Sequence, residues 1–297
     1  NGQLNIQGKG NQLMFNQNLI LSFDIYKGDT VFKPPEWEFR VTPVLNYNYT
    51  QAQEFGVLNV DPRRGYYRNV YFVGLQEAFI DYHLQDVDAR YDFDSIRVGI
   101  QPINVDFRGF LYLDNALGVR LFGNRDDNRW QYNVAAFQRL EKNVNNGLND
   151  VSQAPRDDYV FLANIYRQDF PFRGFTSELV GVYNRNTEGN NPQYYDQNGF
   201  PSRPALLGLD MGRNYNVGYF GYNGDGHFDR FNLTTTWYYA AGNQNVSTFV
   251  QQPNNISAWF TATEGSMDFD WNRIRLSAVF ASGDKNPYDN VDQGFDA

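Results

Sequence analysis

Arginine and carboxylate side chains recur at every second position along several stretches of this sequence. Glu36, Glu38 and Arg40 follow one another in this way, as do Arg273 and Arg275, and Glu77 and Asp81 keep the same parity. Asp24, Arg97, Arg120, Arg129, Arg139, Glu141 and Arg230 take equivalent positions in other stretches. Side chains two apart on a strand share a face. This spacing therefore lines one surface with fixed charge of both signs. Such a surface can steer and bind charged solutes, or it can pair internally as a structural network. There are 20 Arg against 5 Lys, and the planar guanidinium suits either role.

Two further groupings could carry chemistry. The run DKNPYDNVD offers Asp284, Asn286, Asp289 and Asp292 as oxygen ligands of the kind Ca²⁺ takes. Its sixth position is Asp289 rather than Gly, and no Glu stands at the twelfth, so it is not an EF-hand; a solvated acidic loop is the competing reading. Asp81 and His83 lie two apart on one strand face and could act as a base pair for hydrolysis. No nucleophile motif accompanies them, so the chain is not expected to be an enzyme. No cofactor is expected beyond that Ca²⁺ candidate.

Composition closes off other classes. The 297 residues contain no Cys and two His, which removes disulfides, thiolate metal sites and most histidine metal centres. The net charge of −9 argues against nucleic acid as a partner. Aromatics reach 17% while the mean hydropathy is only −0.60, so apolar residues are spread thinly and must alternate with polar ones.

They do alternate. In 36–49 one face holds Trp37, Phe39, Val41, Pro43, Leu45, Tyr47 and Tyr49, and the other, mainly polar, Glu36, Glu38, Arg40, Thr42, Val44, Asn46 and Asn48. Period-two stretches of this kind predict strands over 12–26, 36–49, 66–84, 91–100, 116–122, 129–142, 158–168, 174–185, 214–222, 228–242, 256–264 and 270–282. Short gaps of 5–9 residues alternate with long gaps of 13–28. Asn223–Gly224–Asp225–Gly226 reads as one of the short turns.

Short turns at one end and long loops at the other are the layout of an all-β transmembrane antiparallel barrel of outer-membrane type. In hydrocarbon every backbone polar group must be paired, so a strand-built span has to close on itself. Trp37, Tyr47, Tyr49, Trp130, Tyr132, Trp237, Tyr239 and Trp271 are expected near strand ends as interfacial girdles. About 12 strands fall in this segment. Both ends would lie outside the cell on this reading, so 1–297 is expected to be one barrel domain incomplete at both ends, with 14–18 strands in the full chain. A short strand at 2–8 would alter the count by one.

The long gap 101–115 is unusually apolar. Phe107, Arg108, Phe110 and Tyr112 sit where a solvated loop tip would not carry them. This loop either folds into the lumen as a constriction or packs as an extracellular cap.

The closing stretch ASGDKNPYDNVDQGFDA, with Ser282, Gly283, Asp284, Asn286, Pro287 and Asp289 followed by Phe295 and Asp296, resembles the closing region of alginate-export-like outer-membrane barrels. Arg97, Gly99 and Gln101 look like an R-x-G-x-Q run of that family. The resemblance covers about a fifth of the chain. It implies a bacterial outer-membrane location and a monomeric passage for small or polymeric solutes; it does not imply alginate, because the lumen here is not strongly Arg-lined. The expected function is thus a porin-like channel for small-molecule or polysaccharide solutes, anionic ones included, with outer-membrane lipid and lipopolysaccharide around it. The alternative is a barrel scaffold whose long loops, 186–213 above all with Tyr194, Tyr195 and Phe200, bind a partner protein or surface layer.

Overall fold

The computed structural model describes residues 11–28, 34–143, 146–190, 212–247 and 252–295. Loop residues 191–211, with Tyr194, Tyr195 and Phe200, and the short-strand candidate 2–8 lie outside them.

The described residues form one antiparallel meander. Its strands are β1 (Gln12–Ile20), β2 (Phe23–Lys27), β3 (Trp37–Ala52), β4 (Tyr67–Asp86), β5 (Phe93–Asn104), β6 (Leu113–Arg125) and β7 (Trp130–Gln138). They continue with β8 (Asp158–Arg167), β9 (Phe175–Asn186), β10 (Tyr215–Phe228), β11 (Phe231–Gln244), β12 (Asn254–Phe269) and β13 (Asn272–Ala281). A two-residue β14 (Val291–Asp292) returns to pair in parallel with β12. Each strand hydrogen-bonds its sequence neighbour, with β1 and β2 both on β3. The sheet is not closed: β1 and β13 are its edges, and both are exposed on both faces almost throughout.

Connections alternate as the gap lengths predict. The turns 87–92, 126–129, 168–174, 229–230 and 270–271 gather at one end, and the connections 53–66 and 105–112 at the other, where the described residues bordering the remaining long gaps also lie. The 126–129 turn sets Asp126, Asp127 and Asn128 all at positive φ, a conformation that short Asx side chains tolerate.

Three boundaries differ from the sequence reading. The predicted strand 12–26 is broken at Leu21–Ser22, and the cause is Pro43 opposite. Proline has no N–H to give a central ladder, so β3 shifts register against β4 between Thr42 and Pro43 while the first strand splits into β1 and β2. Asn223–Gly224–Asp225–Gly226 is not a turn but part of β10; the turn lies at 229–230. A Cβ on Gly224 would stand 2.3 Å from the Phe175 ring, so this glycine makes room for a neighbour rather than for a bend. Trp237 and Tyr239 sit in mid-strand rather than at a strand end, whereas Trp37 and Trp130 open β3 and β7 and Trp271 projects from a turn, 98% exposed.

The two faces of the sheet are inverted relative to a water-soluble protein. Leu45, Tyr47, Tyr71, Val73, Val98, Val134, Leu179, Phe220 and Trp259 are exposed on the convex side, Tyr71 to 82%. The concave side buries Thr42, Asn46, Asn48, Asp81, Gln101, Asn133, Asn164, Glu178 and Asn223. One apolar cluster does form on the concave side, from Val160, Leu162, Val180, Val182, Tyr238 and Phe260 with Val105, Leu111 and Tyr112 of the 105–112 loop.

Candidate lumen site

The loop 105–112 descends into the concave trough. It leaves β5 yet touches strands far across the sheet. Asn164 on β8 donates to the Val105 carbonyl at 3.4 Å, and Phe107 meets Tyr166 with ring centroids 5.8 Å apart. Phe110 lies 5.3 Å from Phe260 on β12, Arg108 reaches Glu264 at 3.5 Å, and Tyr112 packs beside Phe137 on β7. These contacts from one short loop require the sheet to curl around it. Of the two readings of this loop, the geometry has its side chains inside the trough.

Asp106 holds the loop's shape. Its carboxylate accepts the backbone N–H groups of Arg108 (2.7 Å), Gly109, Phe110 (3.2 Å) and Leu111 (3.0 Å), and the Tyr238 hydroxyl at 2.7 Å. Burial and nearby Asp114 push the Tyr112 hydroxyl well above the ordinary phenol range, so it stays neutral.

Below the loop runs a belt of one polar side chain per strand. Arg120 on β6 donates to Asn133 on β7 (2.7 Å), Asn133 to Asn164 on β8 (2.8 Å), and Asn164 to Glu178 on β9 (2.9 Å). Asn223 on β10 donates to the other Glu178 oxygen (2.9 Å), and Tyr238 on β11 donates to Asn223 as well as to Asp106. The Tyr238 ring lies flat over Gly221, where a Cβ would stand 2.2 Å from it. Substituting Gly221→Val is expected to dislodge that ring and shorten the life of the loop-in state, read as faster protease cleavage within 105–112. The sequence reading missed this belt. Asn164 and Glu178 stand beside Leu162 and Val180 on the inner faces of β8 and β9, and Asn223 reads from the sequence as part of a turn, so no charge pattern marks them.

The predicted lumen charges fall into distinct groups. Arg40 pairs with Asp24 (2.5 Å), Glu38 (3.0 Å) and Glu77 (3.9 Å), a network on the inner face of β2–β4. Arg97 pairs with Asp81 (2.7 Å) and lies 4.3 Å from the Phe79 ring. Arg120 is its cross-strand partner, stacks 4.7 Å over Phe122, and has no carboxylate within ion-pair distance among the described residues. Of these two neighbouring cations only Arg97 has an ion-pair partner among the described residues. Arg273 and Arg275 pair with Asp268 (2.5 Å) and Glu264 (3.2 Å) on the edge strand.

Five predicted members lie outside the strands: Arg129 and Arg230 fall in the short turns 126–129 and 229–230, Glu141 lies in the connection between β7 and β8, and Glu36 and Arg139 stand next to strand ends. Glu36 stands in the turn before β3, largely exposed and paired with Lys27 at 2.8 Å. Arg139 lies just past the end of β7, held by Asp158 at 3.5 Å above the Tyr112 ring. In both places the alternation of the sequence runs on beyond the hydrogen-bonded ladder.

The oxygen-rich run 284–292 uses its side chains locally. Asp284, Asn286, Asp289 and Asp292 each accept the backbone N–H two residues on, at 2.9–3.4 Å. These are successive Asx turns, and they fold the segment inward so that Phe295 stacks 5.2 Å from Phe260. No group of three or more His, Asp or Glu that could hold a metal ion occurs among the described residues. Asp81 and His83 do not act together either: Asp81 is taken by Arg97, and His83 by Asp86 at 2.9 Å.

No family model matches the chain, and no curated protein matches its sequence.

Proposed function

We propose that this chain forms the wall of a bacterial outer-membrane β-barrel channel, passing small or polymeric solutes, anionic ones by preference, through a charged lumen narrowed by residues 105–112. The observation that carries this reading is the inversion of the faces. A convex side of exposed Leu, Val, Phe, Tyr and Trp over a concave side of buried Asn, Gln, Asp and Glu suits lipid outside and water inside. It is the reverse of what a soluble sheet needs. The exposed edges of β1 and β13 fit a larger closed barrel, expected to hold 14–18 strands, since an unpaired edge in hydrocarbon is costly. The short turns then face the periplasm. The likeness of residues 282–289 to alginate-export-like barrels points the same way.

The full chain, refolded into detergent and reconstituted in planar bilayers, is expected to conduct ions in discrete steps. Monodisperse behaviour in plain buffer without detergent would overturn the membrane reading. A charge on the convex face supplies a second check: Val73→Arg is expected to destabilise the inserted state by about 2–4 kcal/mol, measured by denaturant titration in lipid vesicles, with little effect if that face meets water.

A second reading has an observation of its own. Phe110 of the 105–112 loop and the inward-folded Phe295 both pack against Phe260 and fill part of the trough, as a plugged scaffold presenting its long loops to a partner would require. Bilayers that stay silent at every voltage, with protein demonstrably inserted, would favour it.

A further inference from the structure

The outer face of β9–β12 carries a polar row at the long-loop end of the sheet. Arg185, Asn216, Asn243 and Asn255 stand directly opposite one another in register across the four strands. Two residues further along each strand, the same face narrows to Gly218, Ala241 and Ser257 beside Tyr183. Two further still come the exposed rings of Phe220, Tyr239 and Trp259. An amide and guanidinium row, a low shelf and an aromatic row therefore lie side by side, with neighbouring rows about 7 Å apart.

The surface is recessed where the amides lie. A cavity of about 400 Å³ is lined, apart from Pro253, entirely by Asn and Gln. A second of about 540 Å³ shares Asn214, Asn216 and Asn243 with it and adds Tyr183, Arg185 and Thr187. Tyr183 donates to Asn216 at 3.1 Å, which fixes that amide. Neither recess is lined by a carboxylate, so a bare cation has nothing to bind. Carboxamides present donor and acceptor together, which matches adjacent sugar hydroxyls. Arg185 has no acid partner among the described residues and adds a charge-assisted donor for a phosphate or carboxylate.

We infer that this band is a binding site for the phosphorylated saccharide headgroup of an outer-leaflet glycolipid, its sugars on the shelf and its acyl chains over Phe220 and Trp259. The inference rests on the channel reading in two respects, that the convex face meets lipid and that the long-loop end lies at the outer leaflet.

The test uses the full chain in detergent, titrated with purified rough-type lipopolysaccharide and followed by native mass spectrometry. Asn243→Ala with Asn255→Ala and Arg185→Ala should weaken binding by about tenfold. These side chains are exposed, so the triple variant should still insert into bilayers and conduct as the parent does. Equal retention of lipopolysaccharide by parent and variant would overturn the site while leaving the membrane reading standing. Delipidated core oligosaccharide binding as tightly as the intact glycolipid would also overturn it, since the aromatic row would then contribute nothing. Failure of the parent chain to enter bilayers at all is the separate result that removes the membrane reading.

Discussion

Excising residues 104–114, or replacing Asp106 with Ala, is expected to raise single-channel conductance at least about twofold, because a narrow segment in series dominates the resistance of a pore. The Asp106 carboxylate is 3% exposed and accepts four loop N–H groups besides the Tyr238 hydroxyl. Removing it orphans those donors at about 1–3 kcal/mol for each one left buried, more than this short loop can recover from Phe107, Phe110 and Leu111. The cheapest response is for the loop to leave the trough and solvate its backbone. Tyr238→Phe removes only one of the bonds that hold the Asp106 carboxylate, along with the contact to Asn223, and should produce brief full openings rather than a permanent one, since a single hydrogen bond is worth about 1 kcal/mol. A deletion channel with the parent's conductance would show that the narrowest section lies elsewhere.

The antiparallel all-β meander and its alternating connections were legible in the sequence, because each follows from a period of two repeated strand after strand, and so was the polarity of the faces on the best-phased strands. Trp37, Phe39, Leu45 and Tyr47 declare one side of β3 without help from any other strand. What stayed illegible depends on contacts between distant strands. Pro43 is visible in the sequence, but the break it imposes at Leu21–Ser22 needs the register of β1 and β2 against β3. Gly224 looks like a turn former until Phe175 is placed beside it. The loop 105–112 announces through its aromatics that it must be covered, yet only Asn164, Tyr238 and Phe260 reveal that the covering surface is the inside of the trough. Glu36 and Arg139 show the opposite failure: alternation continues past the last ladder bond, and pattern alone cannot mark where the strand stops.

The charge pattern of the trough wall bears on selectivity, and here the largest shift is expected from Arg97 and Arg120 together. These two are cross-strand neighbours of which only Arg97 is ion-paired, to Asp81, with Arg120 held by Asn133 and the Phe122 ring instead of an acid. The Arg40 network, by contrast, sets one guanidinium among three carboxylates. An anion passing the wall should therefore meet its attractive potential at β5–β6 and its repulsive one at the adjoining β2–β4, a field directed along the wall. A unit charge about 4 Å from a passing ion contributes on the order of 1 kcal/mol in water, or roughly fivefold in relative permeability. Arg97→Ala with Arg120→Ala removes two such charges and leaves Asp81 bare, so the anion-to-cation permeability ratio should fall by at least tenfold, from the same relation. Reversal potentials in a salt gradient measure this, at low ionic strength where the screening length exceeds about 10 Å. Asp81→Asn should move the reversal potential the other way by a smaller amount, since it frees Arg97 without adding charge elsewhere. Opposed shifts from the two variants would establish β5–β6 as the wall that anions follow; reversal potentials unmoved by both would mean that permeating ions do not pass it.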